Sequence, residues 1–175
     1  MSSAVTRQVA VIGEGACSRR TAAAAERIGR AIATAGAVLF TGGRGGVMEA
    51  ASRGAAEAGG TVVGVLPGFD RGGANRWVQI PVVTGMDQAR NVILVRSCDA
   101  VIAVGGMYGT LSEIALALKF GIPVIGLRTW RLRQPDERRV PIIVARSPED
   151  AVARALAAAG RTRGRTGARA RTWLS

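Results

Sequence analysis

Residues 97–119 read SCDAVIAVGGMYGTLSEIALALK. Asp99–Val104 contains a continuous apolar run of the length of one strand, and such a run suits a strand covered on both faces. Gly105-Gly106-Met107-Tyr108-Gly109 breaks it. Thr110–Phe120 then places Leu111, Ile114, Ala115 and Leu118 at helical spacing. The stretch is therefore one strand, a glycine-rich turn and one helix.

The same unit recurs on either side. Strands are expected at 8–13, 37–40, 61–66, 78–83, 99–104, 123–127 and 141–145, and helices at 20–35, 47–58, 86–97, 110–120 and 148–159. Gly36 suits the end of the first helix, and Pro81 suits an edge strand. Strands joined by single helices pair in parallel. The expectation is an α/β fold, a Rossmann-like doubly wound parallel sheet with helices on both faces. In such sheets ligands sit beyond the C-terminal strand ends, where the strand order reverses. Residues 1–160 read as one domain and residues 161–175 as a basic, flexible tail.

Composition narrows the function. The 175 residues are 48% hydrophobic, as in a globular chain. No apolar run approaches the ~20 residues of a membrane span, and no secretory leader is read at the N-terminus, so a cytoplasmic location is expected. The two cysteines, Cys17 and Cys98, are far apart and read as free thiols, and no metal site is expected. The absence of histidine excludes Ser-His-Asp and Cys-His catalytic centres. The net charge is +12, and five arginines fall in the last fifteen residues. Lys119 is the single lysine among 24 basic residues, an Arg-rich bias of the kind that GC-rich coding produces. With few aromatics for base stacking, a nucleic-acid partner is not expected.

Three strand-to-helix turns are rich in glycine: Gly13-Glu14-Gly15, Gly42-Gly43-Arg44-Gly45-Gly46 running into Val47 and Met48, and Gly105-Gly106-Met107-Tyr108-Gly109-Thr110. Glycine lets backbone approach an anion, and the N–H groups of the following helix then face it. The expected ligand is a small phosphorylated molecule. A nicotinamide dinucleotide is excluded, because the first turn has Ser18 where a third glycine belongs and no acid ends the second strand. No P-loop is present. Arg44 is either a loop charge or a phosphate clamp. Glu113 is either a cap partner of Thr110 or a functional carboxylate, and Arg90 is either solvated or part of the site.

On the motifs GGRGGVMEAASRGAAEAGG, MDQARN and SCDAVIAVGGMYGTLSEIALALKFGIPVIGL, the chain resembles the Lonely Guy (LOG)-like superfamily over roughly residues 8–158. The resemblance is closest to its molybdenum-cofactor carrier-like, DprA-related bacterial branch. Lonely Guy enzymes hydrolyse the N-glycosidic bond of cytokinin nucleoside 5′-monophosphates or AMP, with a PGGxGTxxE signature and an arginine–lysine pair. The resemblance places Gly109, Thr110 and Glu113 on that signature, with Gly105 at its proline and Met107 at its second glycine. Arg90 stands at the arginine and Asn91 at the lysine. The carrier-like branch implies a bound molybdenum cofactor, a pterin bearing one phosphate, and a homodimer or homotetramer. Val65-Leu66-Pro67-Gly68 resembles that branch's strand end, with Pro67 and Gly68 expected beside the ring system. The reading is a binding or carrier protein for a phosphopterin or purine nucleotide. The alternative is a nucleoside 5′-monophosphate phosphoribohydrolase with Glu113 and Arg90 as catalytic residues.

Overall fold

The computed structural model describes residues 6–169. Strands β1 (Gln8–Gly13), β2 (Val38–Thr41), β3 (Val62–Leu66), β4 (Ile80–Val83), β5 (Ala100–Val104), β6 (Val124–Leu127) and β7 (Ile142–Val144) form one sheet. Helices α1 (Arg19–Thr34), α2 (Val47–Glu57), α3 (Arg90–Arg96), α4 (Tyr108–Lys119) and α5 (Pro148–Arg169) lie between and after them. The seven strands are all parallel, in the order β4-β3-β2-β1-β5-β6-β7. The chain starts at the centre, winds outward to β4, then returns beside β1 and winds outward the other way. The reversal lies between β1 and β5, where Gly13 pairs with Val104.

The side chains of the central strands alternate between two cores. Val9, Val11, Leu39, Ile102 and Ile125 meet the apolar stripes of α1, α2 and α5 on one face. Ala10, Ile12, Val101, Ala103 and Val124 meet α3 and α4 on the other. Both faces of β3 and β5 are buried, which is why those segments read as unbroken apolar runs. The doubly wound α/β expectation holds, and β4, with Pro81, is an edge strand.

Three expectations need correction. The helix expected at 86–97 is a 3₁₀ turn, Asp87–Ala89, followed by α3 from Arg90. Asp87 carries φ +46, which keeps one regular helix from running through it. The helix that follows the third glycine turn starts at Tyr108, so Gly109 and Thr110 are helical residues. The last helix, expected at 148–159, continues to Arg169, into the segment read as a tail from 161. Residues 170–175 of that tail lie outside the described residues. Among the described residues no helix is long and apolar enough to cross a membrane.

Candidate functional site

The turns leaving β1, β2 and β5 meet above the strand ends at the reversal. They enclose a cleft of about 200 Å³ with the start of α3. Of the expected site residues, Gly13, Gly15, Gly42, Met48, Arg90, Met107, Gly109, Thr110 and Glu113 line it. Ile12, Glu14, Gln88 and Asn91 line it as well. Reading glycines as the binding elements passed over the polar side chains between and beside them. Glu14 stands between Gly13 and Gly15, and Gln88 lies in the MDQARN motif, so both could have been noted.

The remaining turn residues shape the cleft from outside its lining. The buried N–H of Gly43 donates to Thr41 Oγ1, and its carbonyl accepts from the Asn75 N–H. The N–H of Val47 donates to the Glu14 carbonyl, and that of Gly105 to the Leu127 carbonyl. These donors are spent inside the fold and are not offered to a ligand. Gly45, Gly46, Gly106 and Tyr108 are likewise outside the lining. Arg44 is exposed, and its carbonyl accepts from Asn75 Nδ2. Burial chiefly lowers the pKa of Arg90, and the Arg44 charge adds a smaller push in the same direction.

Pro67 and Gly68, expected in a ring-system wall, do not line the cleft either. Their carbonyls accept from the N–H groups of Asp87 and Gly85. They fix the turn that delivers Arg90. Phe69 beside them is 90% exposed.

The helix ends differ. At α1, Ser18 Oγ accepts from the Thr21 N–H and closes the end. The starts of α2 and α4, at Gly46 and Met107, have no side-chain cap. An uncapped start leaves the positive end of the helix dipole open. At α4 it opens beside Arg90 and Glu113.

Arg90 is 8% exposed and Glu113 7%. Arg90 Nη1 lies 3.7 Å from Glu113 Oε1. That is an ion pair too long for a hydrogen bond. Arg90 Nε and Nη1 are buried without a hydrogen-bond partner. Burial, opposed by the Glu113 charge, lowers the pKa of Arg90. Burial pushes Glu113 up to about 7, against the pull of Arg90. In both residues desolvation outweighs the mutual attraction, as expected of a pair that lacks the hydrogen bonds to complete it. Glu113 is not a cap partner of Thr110. It sits on the second turn of α4 and faces the cleft, because α4 starts earlier than expected. Arg90 is not a solvated arginine.

The arrangement offers two unspent, charged N–H donors, an open helix start, and a carboxyl able to donate or accept near neutral pH. Cys17 is half-buried and Cys98 buried, and burial raises both thiols. Neither lines the cleft. Among the described residues no group of three or more His, Cys, Asp or Glu is placed to hold a metal ion.

The molybdenum cofactor binding protein of Rippkaea orientalis is 38% identical, with a TM-score of 0.77 over 86% of this chain and 95% of that one. The Moco carrier protein of Chlamydomonas reinhardtii is 37% identical, with a TM-score of 0.78 over 89% of this chain and 99% of that one. A protein of Archaeoglobus fulgidus is 50% identical over 121 residues, 69% of this chain and 80% of its own length. The model of the SLOG cluster4 family matches residues 6–152, in agreement with the LOG-like resemblance of the motifs. The chain belongs to the SLOG cluster4 family.

Proposed function

We propose that this protein binds a small phosphorylated ligand, of the molybdenum-cofactor phosphopterin or purine nucleotide class, in the cleft at the strand-order reversal. It acts as a binding or carrier protein. The observation that carries this reading is Arg90, buried with no hydrogen-bond partner for Nε or Nη1, beside the uncapped start of α4. Leaving such donors buried and unpaired costs on the order of 1–3 kcal/mol each, more for a charged group. A phosphate oxygen between Arg90 and α4 removes that cost and gains charge-assisted bonds. The likeness to cofactor-binding and carrier proteins supports the same class of ligand. The fit extends to the cargo's metal. A pterin dithiolene supplies its own sulfur ligands, so the site needs to hold only the organic part and its phosphate. A cleft of about 200 Å³ has room for the phosphate end of such a ligand.

The test is co-elution. The protein is mixed with a pterin monophosphate, passed through a gel-filtration column, and the pterin is read by fluorescence. Pterin in the protein peak, and its loss when excess AMP competes, is the expected result. Pterin and AMP both eluting only at the small-molecule position overturns the reading.

One observation favours a second reading, a nucleoside 5′-monophosphate phosphoribohydrolase. Glu113 and Arg90, which match the hydrolase signature, do meet in the cleft. A carboxylate at that place can stabilise the oxocarbenium-like state of N-glycoside cleavage and orient water. Base release from AMP and N6-isoprenyl AMP, followed by chromatography beside a Glu113→Gln control, separates the two readings. Release by the native chain alone selects the hydrolase, and no release from protein that binds the nucleotide selects the carrier.

A further inference from the structure

Asn91 is a polar residue of the cleft whose amide oxygen phosphate binding leaves unexplained. It is 4% exposed, follows Arg90 on α3 and lines the same cleft. Its Oδ1 is buried without a hydrogen-bond partner. The orientation of the amide follows from its neighbour. Ser112 Oγ donates to the Gly109 carbonyl at 2.7 Å, which uses its one hydroxyl proton. Toward Asn91 that oxygen can only accept, so the NH₂ arm must face Ser112, at 3.4 Å. Ser112 lies on the groove between α3 and α4 and does not line the cleft. Asn91 lines both the cleft and that groove, and with its NH₂ arm turned to Ser112 its Oδ1 is a fixed acceptor with nothing to accept from.

An anion cannot satisfy it. A fully ionised phosphate or sulfate carries acceptors only, and set against Oδ1 it would be repelled. Arg90 Nε and Nη1, one residue earlier, ask for the opposite partner, an oxygen. The two neighbours thus ask for two different things of one ligand.

Resting on the phosphorylated-ligand reading, we propose that Asn91 is a specificity-determining residue. It accepts a hydrogen bond from a ligand N–H or O–H that lies beside the oxygen held by Arg90. The ligand class is then a phosphorylated molecule with a donor and an acceptor side by side. Two sources carry that chemistry: the hydroxyls of a phosphosugar, and the amide-like N–H/C=O edge of a pterin or purine. A simple oxyanion lacks it.

The experiment is titration calorimetry of the native chain and Asn91→Leu with three ligands: sulfate, ribose 5-phosphate and a pterin monophosphate. Leucine keeps the branched heavy-atom skeleton and removes the acceptor. The expected result is sulfate binding changed by less than about twofold, with a loss of about 5- to 100-fold for a donor-bearing ligand, the range for a buried group left unpaired. Loss confined to ribose 5-phosphate assigns the donor to a sugar hydroxyl, and loss confined to the pterin assigns it to the ring edge. Ser112→Ala is the second variant, for use should Asn91→Leu fail to fold. It keeps Oδ1 but frees the amide to turn, and a loss of a few-fold for the same ligand and none for sulfate is expected. Equal losses for all three ligands, or none, overturn the inference and leave the phosphate site standing. Failure of all three to bind the native chain overturns both.

Discussion

A Cβ placed on Gly42 would stand 2.6 Å from both Nη1 and Nη2 of Arg90 and 2.8 Å from Met48 Sδ. The glycine turn after β2 therefore serves the site by leaving room for a guanidinium. Gly42→Ala should displace the ends of two flexible side chains and leave the backbone largely in place. The expected cost is about 1–2 kcal/mol of stability by urea unfolding. Affinity for a phosphorylated ligand should fall on the order of tenfold by titration calorimetry. Unchanged affinity would detach Arg90 from binding.

Glu113 makes stability depend on pH. Its ordinary pKa of 4.5 is raised to about 7 in the fold, so the folded chain holds a proton there that the unfolded chain has released. The contribution is fully present below about pH 4.5 and is lost as pH rises through about 7. The shift corresponds to about 3 kcal/mol between those limits. Urea midpoints across that range should fall more steeply for the native chain than for Glu113→Gln, which carries no titrating proton. Parallel curves would contradict the burial effect.

Met107 and Gly106 occupy neighbouring places with opposite tolerance. Met107 has φ −104 and ψ −164, an extended backbone open to any residue, and its side chain is 63% exposed. Met107→Ala should change stability by no more than about 0.5 kcal/mol. Gly106 has φ +116, and an added Cβ would stand 2.6 Å from Thr110 Cβ. Gly106→Ala should cost about 2–3 kcal/mol. Thermal unfolding of the pair checks both. The methionine thus puts no strain on the turn, and its effect is confined to the cleft it lines. Gly105, at φ +59, adopts a conformation closed to the proline of the hydrolase signature.

The periodicity of the chain was enough for the sheet. Runs such as Ala100–Val104 and Val62–Leu66 are apolar throughout because helices cover both their faces, and that pattern is visible before any fold is known. Which glycines face a ligand was not visible. Gly42 and Gly43 are adjacent and alike in sequence, yet one clears space for Arg90 and the other packs against Leu66. The burial of Arg90 depends on residues distant in sequence, with Gly42 on one side and Glu113 on the other. The role of Pro67 and Gly68 rests on backbone bonds to Asp87 and Gly85, which no local pattern announces. Asn91 was legible as a departure from a lysine, but its orientation came from the proton of Ser112.

The most direct test of the binding site is titration of AMP and a pterin monophosphate against the native chain and Arg90→Gln. Losing charge-assisted bonds from a buried guanidinium should weaken binding by about 10- to 150-fold, with the fold preserved by circular dichroism. Equal affinity in the two proteins would contradict the assignment, because the buried nitrogens of Arg90 that lack hydrogen-bond partners would then have no part in holding the ligand.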